Sequence, residues 1–299
     1  MDITTKPDLS IDESQISFTE HRSYWQAARS RFARNKLAMI GLVVVILLVI
    51  ITVFGPLLIP YAYDKPIFTD ANQFPSWTHI MGTDSLGRDV FSRVIYGARI
   101  SLFIGIVVQA IGIVIGVILG SLAGLFGGWT DFVISRIVDV MSAFPYLLLI
   151  ILIMVVLGSG LTNVVVALAI ASWIMPCRLT RAQFLALREK EFVAAARAIG
   201  ASNRHIILKH LLPNSLTPLI VSVSFGIPMA IFGEAGLSFI GIGVTPPTPS
   251  WGQMVGAHYS HIQSEWHLVL FPAAMIGITM LAFTLLGDGL RDALDPTYL

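Results

Sequence analysis

The chain has 299 residues, 55% of them hydrophobic and 12% charged, with a formal net charge of +1 and a mean hydropathy of +0.78. Soluble chains carry about 25% charged residues, so this one has too little charge to clothe a soluble surface. It has no basic field to hold a nucleic acid and, with Cys177 as its one cysteine, neither an internal disulfide framework nor a thiolate-rich zinc site. These numbers exclude an ordinary cytosolic enzyme, a disordered chain and a nucleic-acid binder, and leave a polytopic membrane protein.

In chain order, the stretch from Met1 to about Glu20 is polar and acidic-leaning. Arg22 to Arg34, with Tyr24, Trp25 and Phe32, predicts an amphipathic helix on the inner membrane surface. A bilayer core of about 30 Å takes roughly 20 apolar residues in a helix. Stretches free of Asp, Glu, Lys and Arg run from Leu37 to Tyr63, Ile100 to Thr130, Met141 to Cys177, His210 to Gly233 and Trp266 to Gly287. The third, 37 residues long, is too long for one span, and Gly158-Ser159-Gly160 at its middle reads as a tight turn that divides it. The expectation is therefore an all-α membrane protein with six transmembrane helices. Its parts are a tail at 1–36, a first span at 37–60, an outer loop at 61–98, a five-helix core at 99–290 with an inner loop at 178–214, and a second tail at 291–299. The first span follows 36 mostly polar residues and precedes no small-residue cleavage pattern, so it reads as a retained anchor.

Orientation follows from Lys and Arg near the span ends. Arg29, Arg31, Arg34 and Lys36 crowd the approach to the first span and place the N-terminus in the cytoplasm; six spans return the C-terminus there. With that topology only Lys65, Arg88, Arg93 and Arg99 lie outside, and the other fifteen of the nineteen basic residues lie inside.

Secondary transporters usually carry ionisable groups at mid-membrane depth. Glu234, near the outer end of the fifth span, and Asp288, near the inner end of the sixth, read instead as interfacial carboxylates. A phosphate-cradling loop needs Gly-Lys before Ser or Thr, and none of the five lysines follows a glycine. Active transport would thus need a motor on another subunit. An intramembrane enzyme would need a catalytic pair within the spans, whereas the histidines sit at span ends or in loops.

The inner loop from Arg178 to Asn214 is where a motor could push. Phe184, Leu185, Phe192, Ala195, Ala196 and Ile199 give an apolar stripe at helical spacing, and Gly200 stops that helix. Ser202 is a candidate N-cap for a second helix carrying Ile206, Ile207, Leu211 and Leu212, which Pro213 ends. A basic, amphipathic helix–corner–helix can insert into a partner's groove; it can equally be a solvated inner loop. Gly112, Gly116, Gly120 and Gly124 form a small-residue stripe that suits close helix packing, within the chain or against a partner subunit. Asp84, Arg88, Asp89 and Arg93 can brace one another or meet a partner outside. His258, His261 and His267 lack a further ligand at convincing spacing, so no metal site is assigned. Thr245 to Trp251 is expected to pack over the outer mouth.

Ala194-Ala195-Ala196-x-x-x-Gly200, followed by Leu212-Pro213-Asn214, resembles the cytoplasmic EAA loop of ABC-importer permeases, whose pattern is Glu-Ala-Ala-x3-Gly-x9-Ile-x-Leu-Pro. Ala194 stands here for the glutamate and His210 for the aliphatic residue, with Glu191 three residues upstream. The stretches 81–93 and 96–99, 234–241 running into 246–252, and 287–296 are similar to segments of dipeptide and oligopeptide importer permeases (a fold family that nickel importers share), with the C-type member of the permease pair as the nearer match.

That resemblance implies a type I ABC-importer permease architecture with cytoplasmic N- and C-termini, in a bacterial or archaeal cytoplasmic (inner) membrane. Its implied partners are a second, paralogous permease, two ABC ATPases that bind the ATP and Mg, and an extracytoplasmic substrate-binding protein. It implies no catalytic residue and no cofactor in this chain. ATPase coupling is implied for Glu191, Ala194, Ala195, Gly200, Ala201, Ser202, Pro213 and Asn214. A gate or binding-protein contact is implied for Gly82, Thr83, Asp84, Gly87, Arg88, Asp89 and Glu234. The function expected is the peptide permease subunit of an importer; the alternative is a stand-alone secondary transporter or channel for a small polar solute.

Overall fold

The computed structural model describes residues 24–295; the expectations for Met1 to Ser23 and for Pro296 onward lie outside them. Among the described residues the regular structure is helical, with one isolated bridge between Thr83 and Asp89 and no strand. Among the described residues five helices are long and apolar enough to cross a membrane, and a pair bent by 93° makes six if it is counted as one broken span.

Helix α1 (Tyr24–Arg34) leads directly into α2 (Lys36–Leu58), whose first turn is capped where Asn35 Oδ1 accepts from the Ala38 amide at 3.1 Å. Being apolar all round, α2 suits a peripheral position in lipid. Lipid tails give helices no hydrophobic reason to associate, so close backbone approach supplies the contact instead. At Gly41 of α2 a Cβ would come within 2.7 Å of the Ala282 carbonyl oxygen.

Helix α3 (Val90–Phe126) starts ten residues before the charge-free stretch does. Asp89 caps it, Oδ2 accepting from the Ser92 amide at 2.7 Å. Arg93, only 1% exposed, is carried inside the helix because protein groups satisfy its guanidinium. A window that treats every arginine as a span boundary cannot foresee that.

Helices α4 (Gly128–Ala143) and α5 (Tyr146–Leu157) meet at 93°. Pro145 disfavours a helical residue before it, and Phe144 is extended with ψ 136°. The sequence reading missed α4, because Asp131, Arg136 and Asp139 marked it as loop. The turn between α5 and α6 (Leu161–Ser172) falls at Gly158 and Gly160, both at positive φ, where the sequence had placed it. Helix α6 continues through Trp173 into α7 (Ile174–Leu187), so this crossing extends ten residues beyond Cys177.

The glycine stripe of α3 packs within the chain. Added Cβ atoms would sit 2.3 Å from Ser172 Oγ at Gly112, 2.6 Å from Pro176 Cβ at Gly116, 2.5 Å from the Cys177 carbonyl at Gly120 and 2.5 Å from Phe184 Cβ at Gly124.

Beyond α7 come α8 (Glu191–Ala198), α9 (Asn203–His205), a π-helical turn (Ile206–Leu211) and α10 (Leu212–Asn214). The long α11 (Leu216–Phe239), the short α12 (Trp251–His258) and α13 (His267–Leu294) complete the chain. Helix α13 runs past Asp288 to Leu294, so the expected second tail is helical for its first four residues. Arg31 Nη1 donates to the Asp295 carbonyl at 3.3 Å, which puts both ends of the described chain at one end of the bundle, as six crossings require.

Candidate functional site

The inner loop folds as a corner, but not from the single helix that the stripe Phe184 to Ile199 predicted. Helix α7 ends at Leu187 and α8 begins at Glu191. Arg188 marks the break, its Nη1 donating to the Gly124 carbonyl at 3.1 Å at the end of α3. On α8, Val193 and Ala196 are buried among Leu125, Phe184, Ile206 and Leu211. Ala194 and Ala195 face outward, and Ile199 is 87% exposed. The stripe therefore divides: one part holds α8 to its own bundle, and one part is left uncovered.

The corner itself is tightly specified. Gly200 sits at φ +83°. Its amide donates to the Arg197 carbonyl at 3.0 Å, and the Ala201 amide donates to the Ala196 carbonyl at 3.0 Å. These are the two hydrogen bonds of a Schellman helix end, with Ala201 packed into the same cluster as Ala196. Ser202 then caps the next helix, Oγ accepting from the His205 amide at 3.3 Å. Glu191 lies exposed in the first turn of α8, where a carboxylate favours the helix dipole. Pro213 and Asn214 are exposed at α10, and Asn214 Nδ2 donates to the His210 carbonyl at 2.6 Å.

At the opposite end, residues 59–89 form a braced loop. Asp84 Oδ1 accepts from the Leu86 and Arg88 amides at 3.0 Å each, and Oδ2 from Arg88 Nε at 2.8 Å. His79 Nδ1 donates to Asp89 Oδ1 at 2.9 Å. Arg93 donates to the Tyr63 carbonyl at 3.1 Å and to Gln253 Oε1 at 3.3 Å, which ties the loop to α12. Gly87, at φ +72°, lies where a Cβ would fall 1.8 Å from the Ile67 carbonyl. Gly82, Thr83, Asp84, Gly87 and Asp89 are buried and Arg88 is half-buried, so the outer face here is Ser85 and Leu86. His79 and Gln253 belong to this brace and were not foreseen; no local motif marks either one.

Glu234 is not the interfacial carboxylate expected. It is 0% exposed, and Oε1 accepts from Ser238 Oγ at 2.7 Å and from Ser250 Oγ at 2.6 Å. Ser250 also caps α12, Oγ accepting from the Gln253 amide at 3.0 Å, so Glu234 anchors the start of α12 to α11. The fold-back of α12 over α11 is what buries it. Trp251, expected over the mouth, is instead inserted against α3, Nε1 donating to the Val94 carbonyl at 3.0 Å.

A cavity of about 1440 Å³ extends from Pro213, Asn214 and Arg291 to Gln109 and Gly226, in the middle of α3 and α11. Its edge includes Phe144, Met175 and Met229, each an exposed apolar side chain. Apart from Pro213, Asn214 and the residues at the end of α13, no sequence motif pointed to the lining, because it comes from nine helices and the segments between them.

Residues 112–299 match the family described as binding-protein-dependent transport system inner membrane component. The chain belongs to this family. Residues 23–75 of this inner membrane component also match the N-terminal transmembrane domain of oligopeptide transport permease C. The dipeptide transport system permease protein DppC of Bacillus subtilis (strain 168) is 46% identical over 92% of this chain and 86% of its own length. The oligopeptide transport system permease protein OppC of the same organism is 43% identical over 92% of this chain and 90% of its own length. Among solved structures, an inward-facing conformation of the MetNI methionine ABC transporter superposes with a TM-score of 0.55 at 22% identity, covering 68% of this chain and 96% of that one. This likeness shows the fold. Family and fold together place the chain among membrane-spanning transport components.

Proposed function

We propose that this permease forms half of the translocation pore of an ATP-driven importer for di- or oligopeptides. The dipeptide and oligopeptide permeases to which it is similar support the substrate class. The pore would be completed by a second, paralogous permease seated on the apolar edge formed by Phe144, Met175 and Met229. Two ATPases would hold the ATP and Mg, and an extracytoplasmic protein would deliver the peptide. The basic tally of the inner segments supports a cytoplasmic position for the α8 end, in a bacterial inner membrane.

The observation that carries this reading is the divided stripe of α8. Val193 and Ala196 fasten the helix to α3 and α7, while Ile199 and the outward alanines are uncovered. An ATPase that gripped the uncovered face would move a helix already fixed to the bundle. Glu191, Ala194 and Ala195 would meet the ATPase, with Pro213 and Asn214 at the edge of the contact. Gly200, Ala201 and Ser202 would hold the bend between the two short helices. At the opposite end, Ser85 and Leu86 are the surface offered to the binding protein, and the buried Asp84, Asp89 and Glu234 keep that end in shape. A proton-coupled carrier acting alone would need an ionisable group at mid-membrane depth on the path, whereas Glu234 does not line the cavity and the charged lining residues Arg291 and Asp295 come from the end of α13.

Reconstitution tests this. Liposomes holding both permeases and the ATPases, supplied with binding protein and ATP, should accumulate peptide, and this chain alone should accumulate none. Uphill accumulation by the single chain would overturn the proposal.

A further inference from the structure

Gln109 lies at the centre of α3 and at the deep end of the cavity. The residue is only 4% exposed, it lines the cavity, and no hydrogen bond of its amide is found among the described residues. Its amide atoms are not sealed off: the little surface they keep opens on the cavity, where a polar ligand can reach them. Room for the side chain is built into the facing helix: a Cβ on Gly226 of α11 would fall 2.0 Å from Gln109 Oε1. Beside it on the cavity wall, Ser172 Oγ donates its proton to the Val108 and Ala169 carbonyls at 3.2 and 3.0 Å, which leaves the oxygen free to accept. The charged residues on the wall, Arg291 and Asp295, lie at the far, α8 end.

We infer that the side-chain amide of Gln109 is a binding contact for the backbone amide of a peptide in transit. A carboxamide offers one acceptor and two donors in a plane, and a peptide group offers one donor and one acceptor in a plane. Edge to edge with the N–H and C=O of one extended residue, which point to the same side, the carboxamide makes two hydrogen bonds, without reference to the peptide's side chains. A charged ligand would find no counter-ion at this depth, whereas an uncharged peptide bond meets its complement. The contact suits a pore that passes many sequences and delegates selection elsewhere. This inference rests on the peptide-importer reading above.

The test uses the complete importer in liposomes, with trialanine and its N-methylated analogue as probes. Methylation removes the backbone donor. The binding protein reads the same bond in every assembly, so its share cancels when the ratio of uptake efficiencies is compared between variants. In Gln109→Met the preference for the unmethylated peptide should fall about five- to tenfold, the worth of one hydrogen bond to a neutral group. Gln109→Asn, which keeps the amide but withdraws it by one methylene, is the second variant should the first fail to assemble with the ATPases, and its preference should fall in the same direction. An unchanged ratio in whichever variant assembles overturns the inference and leaves the importer reading intact. Failure of the unsubstituted importer to take up either peptide removes both.

Discussion

Arg181 holds Asp131 through two parallel hydrogen bonds, Nε to Oδ1 and Nη2 to Oδ2, the second at 2.7 Å. The pair locks α7, the helix that leads out to the corner, against α4. Fork-to-fork geometry of this kind fixes orientation as well as distance. Both side chains keep some water contact, so the pair is worth less than a buried one. Asp131→Asn should cost about 1 kcal/mol of stability. Thermal unfolding of the purified permease in detergent checks this, and the difference from the parent should shrink at high salt.

The corner should tolerate substitutions at Gly200 in a set order. Nothing lies within 4 Å of a Cβ added there, so the obstacle is φ +83° alone. Asparagine visits that region at little cost, alanine at about 1 kcal/mol, and a β-branched residue at more. Uptake per ATP hydrolysed should therefore fall in the order Asn, Ala, Val. Full coupling in Gly200→Val would show that the bend is not what transmits the motion.

The uncovered face of α8 makes a separable prediction. Ile199→Ser removes exposed apolar surface and touches no packing of the chain itself, so the permease should unfold at an unchanged temperature. Recovery of the ATPases on an affinity-tagged permease should drop severalfold. Ala195→Trp, which adds bulk to the same outward side, should do likewise. Undiminished recovery in both would place the docking surface elsewhere.

Glu234 should separate a carboxyl oxygen that matters from one that does not. Oε1 accepts two hydroxyls, while Oε2 has no partner among the described residues. Glu234→Gln keeps the accepting oxygen and should retain α12 in place. Glu234→Ala strands two buried hydroxyls and should cost about 1–3 kcal/mol. Proteolysis of the segment 240–250 provides the readout, with faster cleavage expected for the alanine variant only.

The glycine stripe of α3 allows the plainest structural prediction. At Gly120 a Cβ would meet the Cys177 carbonyl at 2.5 Å, and backbone has no rotamer by which to yield. Gly120→Val should force α3 and α7 apart and reduce the yield of folded permease in the membrane. Gly277→Val, with nothing within 4 Å, is the control and should express normally.

Several features were legible in the residues because they depend on near neighbours. Lipid demands long apolar helices, so the places of the five long apolar helices followed from runs of uncharged residues. The Gly158–Gly160 turn, the Gly200 bend and the Ser202 cap followed equally, since each is decided within a few residues of itself. Other features were misread where distant groups intervene. Arg93 looked like part of an outer loop, yet Tyr63 and Gln253 let it enter a helix. Asp131 and Asp139 looked like loop, yet Arg181 and Arg178 face them across α4 and α7. The stripe Phe184 to Ile199 looked like one helix, yet Arg188 finds the end of α3 and breaks it.

What this chain's sequence determined alone was its solvent, its crossings and its local bends, since hydropathy, φ preference and capping act over a few residues. Only the assembled bundle decided that Glu234 is enclosed, that the outer carboxylates turn inward to brace a loop, and that Gln109 lines a cavity. Those outcomes depend on which helices lie side by side, and that is fixed by backbone approach at glycines such as Gly120 and Gly226 to residues far away in the chain.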